Sequence, residues 1–244
     1  MTYCIGLRLN KGLVFMSDTR TNAGVDNISM FQKMFTWSKP GECAITLLTA
    51  GNLATTQSVV SILDERTKAY SDREPSIIEQ PSMFQVARLV GETLKEVIAL
   101  NADTGQKAST AFNATIILGG QVKGGEPRLF LIYPEGNFVE ASKDTPFFQI
   151  GETKYGRPII VRAYDADMSF EDAVKLMLVS FDSTIKANLS VGLPLDLLVY
   201  ENEQFEFSHQ HRIDADDSYF NTISSGWGDA LRKAFHSLPN FKFK

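Results

Sequence analysis

Cysteine is scarce, with only Cys4 and Cys43 among the 244 residues. Two thiols at this separation cannot form the framework of a disulfide-stapled secreted domain and lack the paired spacing of a metal site, so free thiols in a reducing cytoplasm are expected. A surplus of basic residues is also missing: 24 Lys and Arg face 29 Asp and Glu, for a net charge of -5. Nucleic acid is therefore not expected as a partner. No apolar run approaches membrane-spanning length, and Met1-Thr-Tyr-Cys-Ile-Gly6 carries neither the basic start nor the apolar stretch of a signal peptide, so neither secretion nor a membrane is expected. No His-Glu-x-x-His, P-loop, Cys-x-x-Cys or Gly-x-Ser-x-Gly motif occurs. His209 and His211 alternate by two and fit one face of a strand, but no third ligand accompanies them, so a surface strand is expected and no metal or cofactor is assigned.

What is present is a chain that is 43% hydrophobic and 22% charged, enough to bury one sizeable core. No linker, repeat or low-complexity tract interrupts it, and residues 1–244 are expected to form one domain. Tyr3 to Leu9 and Leu13 to Met16 are short apolar stretches around Asn10-Lys11-Gly12, a hairpin with Gly supplying the turn. Lys33 to Trp37 and Cys43 to Ala50 repeat the pattern around Lys39-Pro40-Gly41-Glu42, so four strands are expected before any helix. Residues 53 to 68 and 84 to 100 carry helical spacing, with Phe84, Ala87, Val90, Leu94 and Val97 on one face of the second. Residues 71 to 82, with Pro75 and Pro81, are the most loop-like internal stretch. Phe112 to Leu118 and Arg128 to Tyr133 return to strand character around Gly119, Gly120, Gly124 and Gly125, read as the turn. Ser169-Phe-Glu-Asp172 opens another helix, and Leu195 to Tyr200 with Phe205 to His211 form a last hairpin. This order suits an α+β fold, a four-layer α-β-β-α sandwich of two stacked, mainly antiparallel sheets.

Chemistry concentrates at the front of the chain. Thr2 becomes the first residue once Met1 is removed, and it then carries a hydroxyl nucleophile and, in its own α-amine, a base with a reference pKa near ~8. A nearby ammonium would lower the pKa of both groups, and a carboxylate would hold that ammonium charged and oriented. Lys33 and Asp18 fit these parts, with Phe31 and Phe35 flanking the lysine and expected to desolvate it. Taken singly, either residue is better read as half of a structural ion pair. Thr49-Ala-Gly51-Asn52 ends a strand and opens a helix, where backbone N–H groups can meet a developing oxyanion. Cys4 shares the strand face of Thr2 but is adequately explained as a small buried hydrophobe. Trp227 and Phe235 read as core or as a subunit contact.

This ordered set resembles the proteasome-type N-terminal threonine hydrolases, in which a strand-leading Thr is followed by an Asp-Ser-Arg-Thr-like segment, a Lys and a Ser-Gly-x-x-Ala turn. Here these read Thr2, Asp18-Thr-Arg-Thr21, Lys33 and Ala50-Gly-Asn-Leu-Ala54. Among members it looks most like the bacterial Anbu (ancestral β-subunit) branch, through Thr2-Tyr-Cys4, Ser17-Asp-Thr-Arg-Thr-Asn-Ala-Gly-Val-Asp26, Gln149-Ile-Gly-Glu-Thr-Lys-Tyr-Gly156 and Asn188-Leu-Ser-Val-Gly192. The resemblance implies roles: Thr2 as nucleophile and base, Lys33 as modulator, Asp18 as its anchor and the Gly51 N–H as oxyanion donor. It further implies substrate running as an added strand beside Thr21 and Gly51, with Thr49 and Leu53 lining the specificity pocket. Two departures stand out. Gly151-Glu152-Thr153 replaces a Gly-Ser-Gly turn, which brings a carboxylate toward the amine, and Asn188-Leu-Ser190 replaces an Asp-x-x-Ser-Gly stretch, with Ser190 as the substitute hydroxyl. The resemblance also implies a homo-oligomer, either a ring or an open ring-like helix, acting on peptides or unfolded protein; no unfoldase is identified. A catalytically silent assembly subunit and an amidase for small amides are the two alternatives.

Overall fold

The computed structural model describes residues 2–22, 28–68, 76–102 and 112–243. The first sheet pairs β1 (Tyr3–Leu9), β2 (Gly12–Asp18), β10 (Phe147–Gly151), β11 (Leu195–Glu201) and β12 (His209–Ile213) in the order β10-β1-β2-β11-β12, every pairing antiparallel. The second runs β5 (Met34–Lys39), β6 (Cys43–Gly51), β7 (Ala114–Val122), β8 (Arg128–Ile132) and β9 (Phe138–Glu140), also antiparallel throughout. A small ribbon of β3 (Arg20–Asn22) and β4 (Ile28–Met30) stands apart from both.

Three separate apolar clusters define four layers. Between the sheets lie Cys4, Leu13, Phe15, Met34, Leu48 and Ile117. Outside the second sheet, Ile45, Leu47 and Ile116 meet Val59, Leu63, Val90 and Leu94 of helices α1 (Leu53–Lys68) and α2 (Met83–Ala102). Outside the first, Tyr3, Ile5, Leu7 and Met16 meet Ile160, Met177 and Phe181 of α3 (Arg157–Ala163) and α4 (Phe170–Ala187), and a last helix, α5 (Ser218–Ser237), adds Phe220. The strand alternation is visible in β1, where Tyr3, Ile5 and Leu7 face the helices and Cys4 faces the other sheet. Both faces are covered, so the strand reads as a continuous apolar run and not as an alternating one. The expected α-β-β-α sandwich is the observed fold.

Several local readings change. Six strands precede the first helix, because the β3–β4 ribbon was not expected; Ala23 to Asp26 between its strands lie outside the described residues. Lys33 precedes β5 and is not part of it. Phe31 is exposed, and Phe35 packs on the helix side of the second sheet, so neither desolvates Lys33. Met83 takes the buried place on α2 expected of Phe84, which is exposed and sits edge-on to Phe138. Of the expected loop, residues 76–82 include a short 3-10 turn, Ile77–Glu79, capped reciprocally by Ser76 and Glu79; residues 71–75 lie outside the described residues. Gly119 and Gly120 belong to β7, not to the turn after it. A Cβ on Gly119 would fall 2.5 Å from the Phe15 ring, so this glycine serves the close approach of the two sheets. Gly12 opens β2, where a Cβ would come 2.0 Å from the Tyr200 carbonyl. The last hairpin returns on His209–Ile213, later than expected, and both histidines on it are exposed.

Candidate active site

Antiparallel pairing brings five strand ends together. The start of β1 lies beside the end of β2 (Cys4 opposite Ser17) and the end of β10 (Tyr3 opposite Gly151), while the start of β5 lies beside the end of β6 (Met34 opposite Leu48). Thr2, Asp18, Lys33, Gly51 and Gly151 therefore gather at one edge of the sandwich although up to 149 positions separate them.

The Lys33 ammonium donates to Asp18 Oδ1 at 2.7 Å and to the Arg20 carbonyl at 2.6 Å. Lys33 is 4% exposed and Asp18 0%. The same Asp18 oxygen accepts the Tyr3 amide N–H at 3.0 Å, so one carboxylate fixes both the lysine and the backbone next to Thr2. Burial pushes the Asp18 carboxyl above its ordinary range, opposed by the Lys33 ammonium and by the Tyr3 amide. On its other side, the Thr2 carbonyl accepts the Glu152 amide at 2.7 Å. Gly151 makes this possible at φ 82, where a Cβ would stand 1.9 Å from the Thr2 oxygen. Beneath lies a buried polar chain: Tyr3 Oη shares a 2.7 Å hydrogen bond with Ser180 Oγ and accepts one from Gln149 Nε2. Burial pushes the Tyr3 phenol up to about 12, so it stays a neutral structural hydroxyl.

A cavity of about 570 Å³ opens over this platform, with Thr2, Thr21, Lys33, Thr49, Gly51 and Leu53 in its wall. Glu152 and Gly151 form another part of the wall, and Ala50 and Thr56 complete it. Gly51 ends β6 at φ 121, where a Cβ would lie 2.4 Å from the Asn113 carbonyl. Asn52 then caps α1 by accepting the Thr55 amide at 3.0 Å. Asn188 and Ser190 are not in the wall. Asn188 ends α4 and its Oδ1 accepts the Ser190 amide at 2.9 Å, while the neighbouring Leu189 carbonyl accepts from Arg20 Nη1 at 3.0 Å. This loop meets the site's strand end through Arg20, whose carbonyl binds Lys33, and through the Pro194 carbonyl, which accepts from the Thr19 amide at 3.2 Å and from Thr19 Oγ1 at 2.9 Å. Cys4 is buried, and burial, reinforced by Asp18, pushes its thiol well above the ordinary range, which leaves it inert beside Thr2.

Sequence reasoning named Tyr3, Gln149 and Gly151 within the motifs of the resemblance but gave them no role in the site, and it missed Ser180. The Gly-Glu pair after an apolar stretch was a visible signal; the Tyr3–Ser180 contact, across 177 positions, had none. A larger cavity of about 700 Å³ lies among α3, α4 and α5, with Ile159, Leu176, Val179, Ile223 and Trp227 in its wall, and none of Thr2, Asp18, Lys33 or Gly51 lines it. Among the described residues no group of three or more His, Cys, Asp or Glu is placed to hold a metal ion, and no helix is long and apolar enough to cross a membrane.

The profile of the family described as proteasome subunit matches residues 2–196. The chain belongs to the proteasome subunit family, in its Anbu (ancestral β-subunit) branch. The branch is carried by solved structures: Anbu from Hyphomicrobium sp. strain MC1 is 49% identical with a TM-score of 0.91, covering 99% of this chain and 100% of that one. Anbu from Yersinia bercovieri is 47% identical with a TM-score of 0.92 and 99% coverage of both chains. The helical assembly of the Anbu complex from Pseudomonas aeruginosa matches at 45% identity and a TM-score of 0.90, covering 98% of each. More distantly, the proteasome subunit beta 2 of Pyrobaculum calidifontis is 24% identical over 81% of this chain and 87% of its own length. The family accounts for the sandwich and for the strand ends that converge on Thr2.

Proposed function

We propose that the chain is a threonine-type endopeptidase whose nucleophile is Thr2 after removal of Met1. The observation that carries this reading is the placement of Thr2, Lys33 and Gly51 in one cavity wall above a buried Lys33–Asp18 pair. Thr2 Oγ attacks the peptide carbonyl while the Thr2 amine takes the hydroxyl proton. Lys33, held charged by Asp18, lowers the pKa of the hydroxyl through its proximity. Negative charge on the carbonyl oxygen is met by the Gly51 N–H, and the amine returns its proton to the leaving nitrogen as the C–N bond breaks. Water, deprotonated by the same amine, then attacks the Thr2 ester, and the amine passes that proton to Thr2 Oγ as the C–O bond breaks and the acid leaves. Substrate lies as an extended strand beside Thr21 and Gly51, with one side chain between Thr49 and Leu53. No step needs a cofactor.

The test is incubation with an electrophile that bridges a hydroxyl and an adjacent amine, followed by intact-mass and peptide mapping. Labelling at Thr2 with Met1 absent is expected, together with loss of peptide hydrolysis in Thr2→Ala. Labelling elsewhere, or activity undiminished in Thr2→Ala, overturns the mechanism.

The same proposal places the chain in a homo-oligomer, a ring or an open ring-like helix, in the cytoplasm. Helix α5 supports the assembly: of its 20 residues only Phe220 is buried, while Tyr219, Leu231 and Phe235 are exposed, Phe235 at 72%. A helix with one buried side chain gains little from its own fold, and an apolar face of this size marks an interface. Repetition of one heterologous contact closes a ring or runs on as a helix according to the rotation it imposes. Two free, buried cysteines support the reducing compartment.

A further inference from the structure

The cavity beside Thr2 is electrically one-sided. Of its wall side chains, Lys33 and Glu152 are the two that carry charge, and the Thr2 α-amine, free once Met1 is removed, has to be neutral to act as the base. Lys33 is neutralised within the wall by Asp18 at 2.7 Å, with a second acceptor in the Arg20 carbonyl. Glu152 is half-buried and, among the described residues, its carboxylate has neither an ion-pair partner nor a hydrogen-bond donor, although its backbone amide is bound to Thr2. The remaining wall is made of hydroxyls, aliphatic groups and glycine. Thr56 Oγ1 already donates its proton to the Leu53 carbonyl at 3.0 Å and has none left for Glu152.

The 2.7 Å bond from the Glu152 amide to the Thr2 carbonyl anchors the backbone that carries this carboxylate to the candidate nucleophile itself. Gly151 makes the anchor rigid, because its backbone at φ 82 and its approach to the Thr2 oxygen leave no room for another residue. A carboxylate held in a partly enclosed cavity is less screened than one on open surface, and the group that completes it is a cation. An acidic ligand would meet both this charge and a chain whose net charge is -5.

The geometry points to Glu152 as a specificity-determining residue that selects peptides bearing an ammonium or guanidinium group close to the bond cut at Thr2. This rests on the reading of Thr2 as nucleophile, and it names the substrate class of that site. Glu152 takes no proton and forms no bond in the reaction; it supplies a fixed negative charge. The consequence is a cavity that favours lysine or arginine over apolar residues of similar length, and apolar residues over glutamate.

The test separates binding from turnover. Capped hexapeptides of one sequence carry lysine, norleucine or glutamate at a single central position, and their dissociation constants are measured at low salt in the full chain bearing Thr2→Ala, which cannot be acylated. Norleucine matches the lysine stem without its charge. Lysine is expected to bind about fivefold more tightly than norleucine, the scale of a partly screened ion pair, and glutamate more weakly than either. Glu152→Gln is expected to bring lysine and norleucine within about twofold, and Glu152→Lys to invert the order. Equal affinity for lysine and norleucine peptides, no measurable binding of the lysine peptide, or a lysine preference that survives Glu152→Gln overturns the proposal. Charge-selective binding without Thr2 labelling in the unmodified chain would leave this inference standing and sink the peptidase reading. Labelling without charge selectivity would do the reverse.

Discussion

Lys33 Nζ lies 2.7 Å from Asp18 Oδ1, with both side chains almost wholly removed from water. A buried pair of this kind gains little over an apolar pair of the same size, yet loss of one member strands the other charge in the interior. Lys33→Ala or Asp18→Ala is therefore expected to lower unfolding stability by about 3–5 kcal/mol in urea titrations. The double change Asp18→Leu, Lys33→Met is expected to cost less than either single change. All three should lose electrophile labelling at Thr2, which sets the chemical need for the pair apart from its effect on stability.

The pH dependence follows from the Asp18 carboxyl, which burial lifts above its unfolded value near ~3.9. A group whose folded pKa is raised binds its proton more tightly in the native state, so its contribution is present below the unfolded value and is lost as pH rises through the folded one. Denaturation midpoints are expected to lose stability over that window relative to Asp18→Asn, even though the variant is less stable overall. Labelling of Thr2 should rise across the same window as Asp18 ionises to hold Lys33; a wild-type stability profile parallel to that of Asp18→Asn would refute the assignment.

Gly151 and Gly41 both occupy left-handed backbone, at φ 82 and 72, but only Gly151 faces a neighbour. Gly41→Ala should cost about 1 kcal/mol of conformational strain and leave Thr2 reactive. Gly151→Ala forces its Cβ into the Thr2 carbonyl, so it should cost more than that and abolish labelling. Matched thermal melts and mass spectra of the two variants would check the contrast.

Leu231 and Phe235 are exposed on α5, one turn apart. Replacing both by Glu should leave far-UV circular dichroism unchanged and reduce the assembled mass in sedimentation velocity, since a charge buried at an interface lacks a partner. Unaltered sedimentation would remove this helix from the assembly.

Much of the site was legible because the chemistry is local. Thr2, Asp18 and Lys33 could be grouped from the needs of a hydroxyl nucleophile, and Gly51 from its strand-to-helix turn. The flanking aromatics misled, because Phe31 and Phe35 sit next to Lys33 in sequence but do not pack around it. What desolvates the lysine comes from the neighbouring strand end and the Arg20 carbonyl, contacts that no local pattern reports. Asn188 and Ser190 were read from resemblance as part of the site; neither is in the cavity wall, and their loop meets the Asp18–Arg20 strand end through the Leu189 and Pro194 carbonyls. Trp227 and Phe235 were open between core and contact surface; the fold half-buries the first and exposes the second.

By itself the sequence determined the two opening hairpins, the helix pair after them and the later strands and helix around them, through apolar stretches and turn residues whose preferences act over a few positions; the β3–β4 ribbon, β9, β10, α3 and α5 were not read from it. It also carried the proposal that Thr2 supplies both a hydroxyl nucleophile and an amine base, since both groups belong to one residue. The tertiary structure alone decided that five strand ends converge on Thr2, that Tyr3 reaches Ser180, and that the Glu152 amide binds the Thr2 carbonyl. Those facts depend on antiparallel register and sheet stacking across long separations, where pairing is chosen by the packing of the whole sandwich and not by any local run of residues.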